Sequence, residues 1–234
     1  MTIVSDLKRI PLFEHISEED LLPMAEVAYL RTYDKGEIIC EKGGAGNALF
    51  VTRSGKVRVY TTDESGHEVA LHIYGPGSFF GELALLDGLP RSASVAALEA
   101  SDILVLPRKE FLSQLEAHPH IILHIITAIT KRLRITTERA EQMAFLNIYG
   151  RLALQLLDLA EKHGKPIAQG IEIDLDLAPE DLASLAGVDP KGLDRVLQFY
   201  SEAGLVEVSW PRIIVQDEEG LRRRLTWHRR KRLV

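Results

Sequence analysis

Five turn pairs recur at an even step of eleven residues: Gly43-Gly44, Ser54-Gly55, Ser65-Gly66, Pro76-Gly77 and Asp87-Gly88. Between them lie stretches rich in β-branched and aromatic residues, such as "ALFVT" (48–52) and "KVRVY" (56–60). Short strands at this spacing predict an all-β roll of the jelly-roll kind over about residues 31–107. The even step reports strand length, since the stretches do not repeat one another in sequence. Ahead of them, residues 1–30 read as short helices. Ser17, with Asp20 three positions on, opens "SEEDLLPMAEVAYL" as a helix N-cap would.

From about residue 118 the period becomes helical. Ile122, Ile126, Ile129, Leu133, Thr136, Ala140 and Met143 fall at alternating steps of four and three. That heptad seam predicts a long helix pairing with its twin in a dimer, the competing reading being a helix packed on its own β domain. Thr136 puts a hydroxyl in the seam with Thr137 beside it, where Leu or Ile would stabilise more.

After "FLNIYG" (145–150) a third unit begins. "RLALQLLDLAEKHG" predicts an amphipathic helix ending at Gly164 as its C′ residue, and "IEIDLDL" alternates like a half-exposed strand. Pro179 to Ala186 reads as a helix that turns at Gly187. Asp189 as N-cap and Pro190 in the first turn then start another. "LVEVSWPRIIVQ" reads as a hairpin, and two short helices followed by a hairpin predict a winged helix-turn-helix. The fold expected is therefore α+β. Its parts are an N-terminal β-roll (1–116), a long dimerisation helix and hinge (117–146), and a winged helix-turn-helix with a basic tail (147–234).

Composition limits what these parts can do. At 234 residues, 46% of them hydrophobic, the chain has material for two cores. It has no run of about 18 apolar residues, and "MTIVSDLKRIPLFEHI" lacks the layout of a secretory signal, so no membrane partner and a cytoplasmic location are expected. A single cysteine, Cys40, excludes an internal disulfide and a cysteine-only metal cluster within one chain. No nucleophile stands with a base and no His or carboxylate cluster has metal spacing, so the chain is not expected to be an enzyme. The net charge of −6 hides a basic end, for residues 205–234 carry eight Lys/Arg against four acids. Such an end is either an electrostatic footprint for DNA or a solubilising tail.

"FFGELALLDGLPRSASV" (79–95) sets Glu82 nine positions ahead of Arg91 among apolar and small residues. Arg suits a phosphate because its planar fork gives charge-assisted hydrogen bonds, and a carboxylate can accept from a ribose hydroxyl. Backbone N–H groups at "GELALL" could face the anion, and Gly81, Ser92 and Ala93 would allow close approach. The spacing suits a sugar-phosphate cradle inside a β-roll.

"FGELALL…PRSASV" resembles the phosphate-binding cassette of the cyclic-nucleotide-binding domain. With the long helix and the helix-turn-helix, nearly the whole chain resembles a bacterial transcription regulator of the CRP/FNR family. The resemblance implies that Glu82 accepts from the ribose 2′-hydroxyl and Arg91 pairs with the cyclic phosphate. It also implies that Ser92 adds its hydroxyl and N–H, and that Gly81 and Leu83 supply backbone. "KRLRITTER" resembles the "RRLQVTSEK" segment of the family's cAMP-binding members, where the first hydroxyl reaches adenine and the second comes from the other subunit. Thr136 and Thr137 take those roles here, which favours cAMP over cGMP or another cyclic nucleotide. No metal or haem is expected, His72 being the nearest axial candidate in the roll.

The resemblance further implies a homodimer, double-stranded DNA read by "DPKGLDRVLQFY", and RNA polymerase as a partner. Arg195 matches a DNA-contacting arginine of the family, and Asp189, Lys191 and Arg212 in the wing complete the expected DNA face. Where the family has "SRETVGR" this chain has "DPKGLDR", so the base-reading Arg and Glu become Pro190 and Lys191, and Asp189 and Asp194 add negative charge. The operator therefore does not carry over, and Arg212 with the 222–232 cluster could restore positive charge. Two rival readings stand beside this one. One is a nucleotide-binding module acting through a protein partner, the other a DNA regulator that ignores nucleotides.

Overall fold

The computed structural model describes residues 3–10, 13–14, 16–64, 66 and 68–225, with the backbone alone at 139, 142 and 143. Gly43, Gly55, Gly66, Gly77 and Gly88 all take positive φ, between 73° and 83°. This is the left-handed backbone that glycine enters without steric cost. The turn ladder thus reverses the chain where its spacing predicts.

Two helices come first, α1 (Ile3–Lys8) and α2 (Glu18–Val27). Ser17 caps α2 by accepting from Asp20 N–H. Eight strands follow: β1 (Tyr29–Tyr33), β2 (Ile38–Cys40), β3 (Ala48–Ser54), β4 (Val57–Thr62), β5 (Glu68–Tyr74), β6 (Phe79–Phe80), β7 (Ser94–Ala97) and β8 (Ser101–Pro107). A short helix, α3 (Glu82–Asp87), lies between β6 and β7. The strands form two antiparallel sheets, in the orders β1-β8-β3-β6 and β2-β7-β4-β5.

The central strands bury both faces. Phe50 and Val105 join Tyr33, Val57, Phe80 and Val95 in the core between the sheets. Their neighbours Leu49, Val51, Leu104 and Leu106 face the other way, into a second core with Phe13, Leu21 and Met24. Two-sided burial is why "ALFV" and "ILVL" are continuous apolar runs and not alternating ones. Helix α4 (Arg108–Ala117) contributes Phe111 and Leu115 to the second core, and α5 (His120–Phe145) contributes Ile121, Ile125 and Ala128. Each large apolar side chain among them stabilises by about 1.5–3 kcal/mol when fully buried.

Helix α5 has two apolar faces. Its inner face packs on its own domain, while Ile122, Ile126 and Leu133 are exposed and Ile129 is partly buried. The reading of a helix packed on its own β domain thus holds for the inner face, and the apolar side chains on the other side are left uncovered by the chain itself. Met143, the last seam position, lies outside the described side chains. The chain divides into two compact units within α5, Met1–Ile135 and Thr136–Val234.

The second unit starts from α6 (Ile148–His163), whose N-cap Asn147 accepts from Gly150 N–H. The hairpin β9 (Gly164–Ile167) and β10 (Gly170–Ile173) leads to α7 (Pro179–Ala186) and α8 (Pro190–Glu202). The hairpin β11 (Val206–Ser209) and β12 (Arg212–Val215) then gives way to α9 (Glu218–Leu225), and the sheet order is β11-β12-β10-β9. Leu152 and Leu156 of α6, Leu182 of α7, Val196 and Tyr200 of α8 and Leu221 of α9 are buried.

Three details differ from the expected pattern. Gly164 is not a left-handed C′ residue: its φ is −82°, and a Cβ there would stand 2.1 Å from Ala160 O, so it is small for packing reasons. Only residues 171–173 of "IEIDLDL" pair as strand, although Leu175 and Leu177 remain buried. The basic stretch from 222 begins inside α9, whose acids Glu218 and Glu219 come first and Arg222 to Arg224 last, complementing the helix dipole.

Candidate nucleotide cradle and DNA-reading helix

Strand β6 delivers Gly81, which turns at φ +83° to start α3 with Glu82 as its first residue. No side chain caps the start of this helix. Glu82 and Arg91 are both buried, at 6% and 5% exposure, around Gly81. They do not pair with each other. Arg91 Nη1 donates to Gly81 O at 2.8 Å, and its Nη2 donates to Ala48 O at 2.7 Å. The guanidinium also lies over the Phe50 ring at 5.1 Å. Its Nε is buried with no hydrogen-bond partner. Burial lowers the Arg91 pKa, against the attraction of Cys40 and Glu82.

Gly81 fits because nothing else could. A Cβ at this position would stand 2.3 Å from Arg91 Nη1, in addition to the strain of the positive φ. The Arg91 backbone is tied to the β2–β3 turn, with Arg91 N–H donating to Gly44 O and Gly43 N–H to Arg91 O, each at 2.8 Å. Behind Arg91, a cavity of about 360 Å³ is lined by Tyr29, Tyr33, Cys40, Asn47 and Phe50 among others, and burial pushes the Cys40 thiol pKa up.

Arg132 of α5 was not singled out in the sequence. Its Nη1 donates to Glu82 Oε1 at 2.6 Å and its Nη2 to Phe79 O at 2.7 Å. Arg132 also stacks on two rings, Phe79 at 4.3 Å and Tyr74 at 5.3 Å. Tyr74 in turn lies parallel to His72, 5.5 Å away. Leu83 and Ser92 are exposed beside the buried pair. The first unit thus brings Gly81, Glu82 and Arg91 together, with Leu83 and Ser92 at the rim. Thr136 and Thr137 belong to the second unit and are exposed on α5.

The helix-turn-helix is α7, a turn at Gly187 (φ +62°) and α8. Asp189 caps α8, its Oδ1 accepting from Gly192 N–H at 2.8 Å, and Pro190 occupies the first turn. Leu193, Val196, Leu197 and Tyr200 are the buried side of α8, leaving Lys191, Asp194, Arg195 and Gln198 on its exposed face. Tyr200 O–H donates to Tyr149 O at 2.6 Å, and burial pushes its pKa well above the usual value.

In the wing, Arg212 is held by Glu172, Nε to Oε1 at 3.0 Å and Nη2 to Oε2 at 3.4 Å. The pair raises the Arg212 pKa. Arg222 and Arg223 are paired with Glu218 and Asp217, each at 3.4 Å. Arg224 lies over the Phe199 ring at 5.2 Å, and the other basic residues of the 222–232 cluster, Arg229 to Arg232, lie outside the described residues.

Residues 30–118 match the cyclic nucleotide-binding domain family, and residues 150–224 match the Crp-like helix-turn-helix domain family. The chain is 32% identical over 202 residues to the cyclic AMP receptor protein of Thermus thermophilus, covering 86% of this chain and 90% of that one. It is 26% identical over 218 residues to a CRP-like cAMP-activated global transcriptional regulator of Mycobacterium tuberculosis, covering 93% and 97%. Its fold is similar to that of the c-di-GMP responsive global regulator CLP of Xanthomonas campestris, with TM-score 0.74 and 22% identity over 86% of this chain and all of that one. A nucleotide-binding roll, a long helix and a Crp-like helix-turn-helix in one chain are the parts of a regulator and not of an enzyme, and the chain belongs to the CRP/FNR family of transcription regulators.

Proposed function

We propose that the chain is a homodimeric regulator whose β-roll binds cAMP and whose two α8 helices read a two-fold DNA site. The observation that carries the nucleotide half is the burial of Glu82 and Arg91 on either side of Gly81. An acceptor for a ribose hydroxyl and a planar donor for a cyclic phosphate stand in one cradle, with Ser92 and Leu83 at its rim. In this reading Arg91 exchanges its backbone carbonyls for the phosphate. Thr136 and the Thr137 hydroxyl of a second copy reach the base, which favours adenine. The names of the Thermus and Mycobacterium relatives support the same ligand.

The exposed seam Ile122–Ile126–Leu133 supports the homodimer, since three large apolar side chains in a row on a helix are a pairing face. Asp189, Lys191, Arg195 and Arg212 form the DNA side, with RNA polymerase as the further partner of a transcription regulator. Ligand shifts the equilibrium toward the DNA-competent state only by its differential affinity for that state.

Calorimetric titration of the full chain with cAMP, cGMP and cyclic di-GMP tests the ligand, with Arg91→Ala as control. Sub-millimolar cAMP binding that the variant loses supports the reading. Binding of cyclic di-GMP alone moves the effector to that nucleotide. No heat with any of the three leaves a DNA regulator that ignores cyclic nucleotides.

A further inference from the structure

The charges of the second unit are unevenly committed. Lys162 pairs with Asp158, Lys165 with Asp174, Arg212 with Glu172, Arg222 with Glu218 and Arg223 with Asp217. On α8 itself, Asp189 serves as the N-cap and Gln198 donates to Glu202 at 2.9 Å along the helix. Lys191, Asp194 and Arg195 are the charged side chains of α8 that have no intramolecular partner among the described residues. They sit at i, i+3 and i+4 on one exposed face, where neighbouring side chains meet. The spacing would permit a Lys191–Asp194 ion pair, yet none forms.

An unpaired carboxylate between two cations on such a helix requires a reason, because a helix entering the major groove faces phosphates that repel it. The groove floor offers two donors that would attract it, the N4 amino group of cytosine and the N6 amino group of adenine. Adenine sets the lone pair of N7 beside its amino group, which repels an acceptor-only carboxylate. Cytosine presents its amino group with no acceptor beside it. Guanine and thymine offer acceptors at this edge and are rejected. Lys191 and Arg195 have the opposite preference, since guanine O6 and N7 both accept.

We propose that Asp194 is a specificity-determining residue of α8, selecting a cytosine in each half-site through its N4 amino group, while Lys191 and Arg195 take guanines of flanking pairs. This rests on the reading of α8 as the helix that enters the groove, and it deepens that reading by naming the bases.

Selection from a pool of randomised two-fold duplexes tests it, using the full chain with and without saturating cAMP. The wild-type motif should hold one position per half-site that is almost always cytosine. Asp194→Ala should lose that preference alone, by about tenfold, while its affinity for unselected duplex rises and the salt dependence of binding keeps its slope. Asp194→Asn should switch the same position to adenine, because an amide matches the donor and acceptor of N6 and N7. A wild-type motif without the cytosine, or motifs of both variants identical to it, would overturn the assignment while leaving α8 as a DNA-reading helix. Failure of the wild type to select any sequence, with cAMP and with cGMP and cyclic di-GMP in its place, would remove the DNA reading and this assignment with it.

Discussion

The carboxylate of Glu82 is held at 2.6 Å by the guanidinium of Arg132, fifty residues further along the chain. Arg91, nine residues from Glu82, is turned instead onto the carbonyls of Gly81 and Ala48. Arg132 therefore ties the first helical residue of the cradle to the long helix, within the first unit. Charge-assisted hydrogen bonds to a largely buried carboxylate are worth about 1.5–3 kcal/mol. A double-mutant cycle of Glu82→Gln and Arg132→Gln, read by chemical denaturation, should give a coupling of about 1–2 kcal/mol. Strict additivity would mean that the contact contributes nothing to stability.

Arg91→Ala should do more than abolish nucleotide binding. It removes the side-chain donor of the Ala48 and Gly81 carbonyls. Gly81 O keeps Leu85 N–H at 3.3 Å, so the loss falls mainly on Ala48 O, and an unsatisfied buried acceptor costs about 1–3 kcal/mol. A lower urea midpoint for the ligand-free variant is therefore expected. An unchanged midpoint would show that water replaces the guanidinium at both carbonyls.

Asp189 has two opposed effects. As N-cap of α8 it accepts from Gly192 N–H, and loss of such a cap costs about 1 kcal/mol. As an acid on the proposed DNA side it would repel phosphate. Asp189→Ala should accordingly lower the melting temperature of the second unit and tighten binding to unselected duplex. Asp189→Ser keeps a cap and should separate the two, retaining stability with the gain in affinity.

Arg212 is engaged by Glu172, so its charge is not available to DNA at no cost. Glu172→Gln should release it, raising affinity for duplex and steepening the dependence of log K on log salt by about 0.9 for each further phosphate that it neutralises. An unchanged slope would place Arg212 away from the backbone of the bound DNA.

Acidification should act on Asp20, at the start of α2. Its pKa is lowered by the hydrogen bond from Ser17 first and by that of His120 next. A depressed folded value means that the contribution is complete above the unfolded pKa of about 3.9 and lost as pH falls through the folded one. Asp20→Asn should flatten the stability profile below about pH 4 and leave its shape above that unchanged. Urea midpoints across the acid range check it.

Strands β3 to β6 were legible because turn pairs lie on either side of each, with a glycine that takes the positive φ the turn requires. The helix boundaries were legible because Ser17, Asp189 and Gly187 act locally, within a few residues of what they cap or turn. Contacts that depend on how elements meet were hidden. Arg132 stood in plain view in "KRLRITTER", but heptad reasoning weighs apolar positions, and nothing local says that α5 comes to rest beside β6. Arg212 looked free for DNA because its partner Glu172 is forty residues earlier and becomes adjacent only when β10 pairs with β12.

Strand β3 is held on every side. Phe50 faces one core and Leu49 and Val51 the other, β8 and β6 hydrogen-bond its two edges, and Arg91 grips the Ala48 carbonyl at its start. A strand so confined has no direction in which to yield. Its amides should be among the last in the roll to exchange with heavy water, opening only when the whole unit opens. Any rearrangement of the cradle must then be absorbed in α3 and the loop that follows it, moving like a hinged flap against a fixed floor.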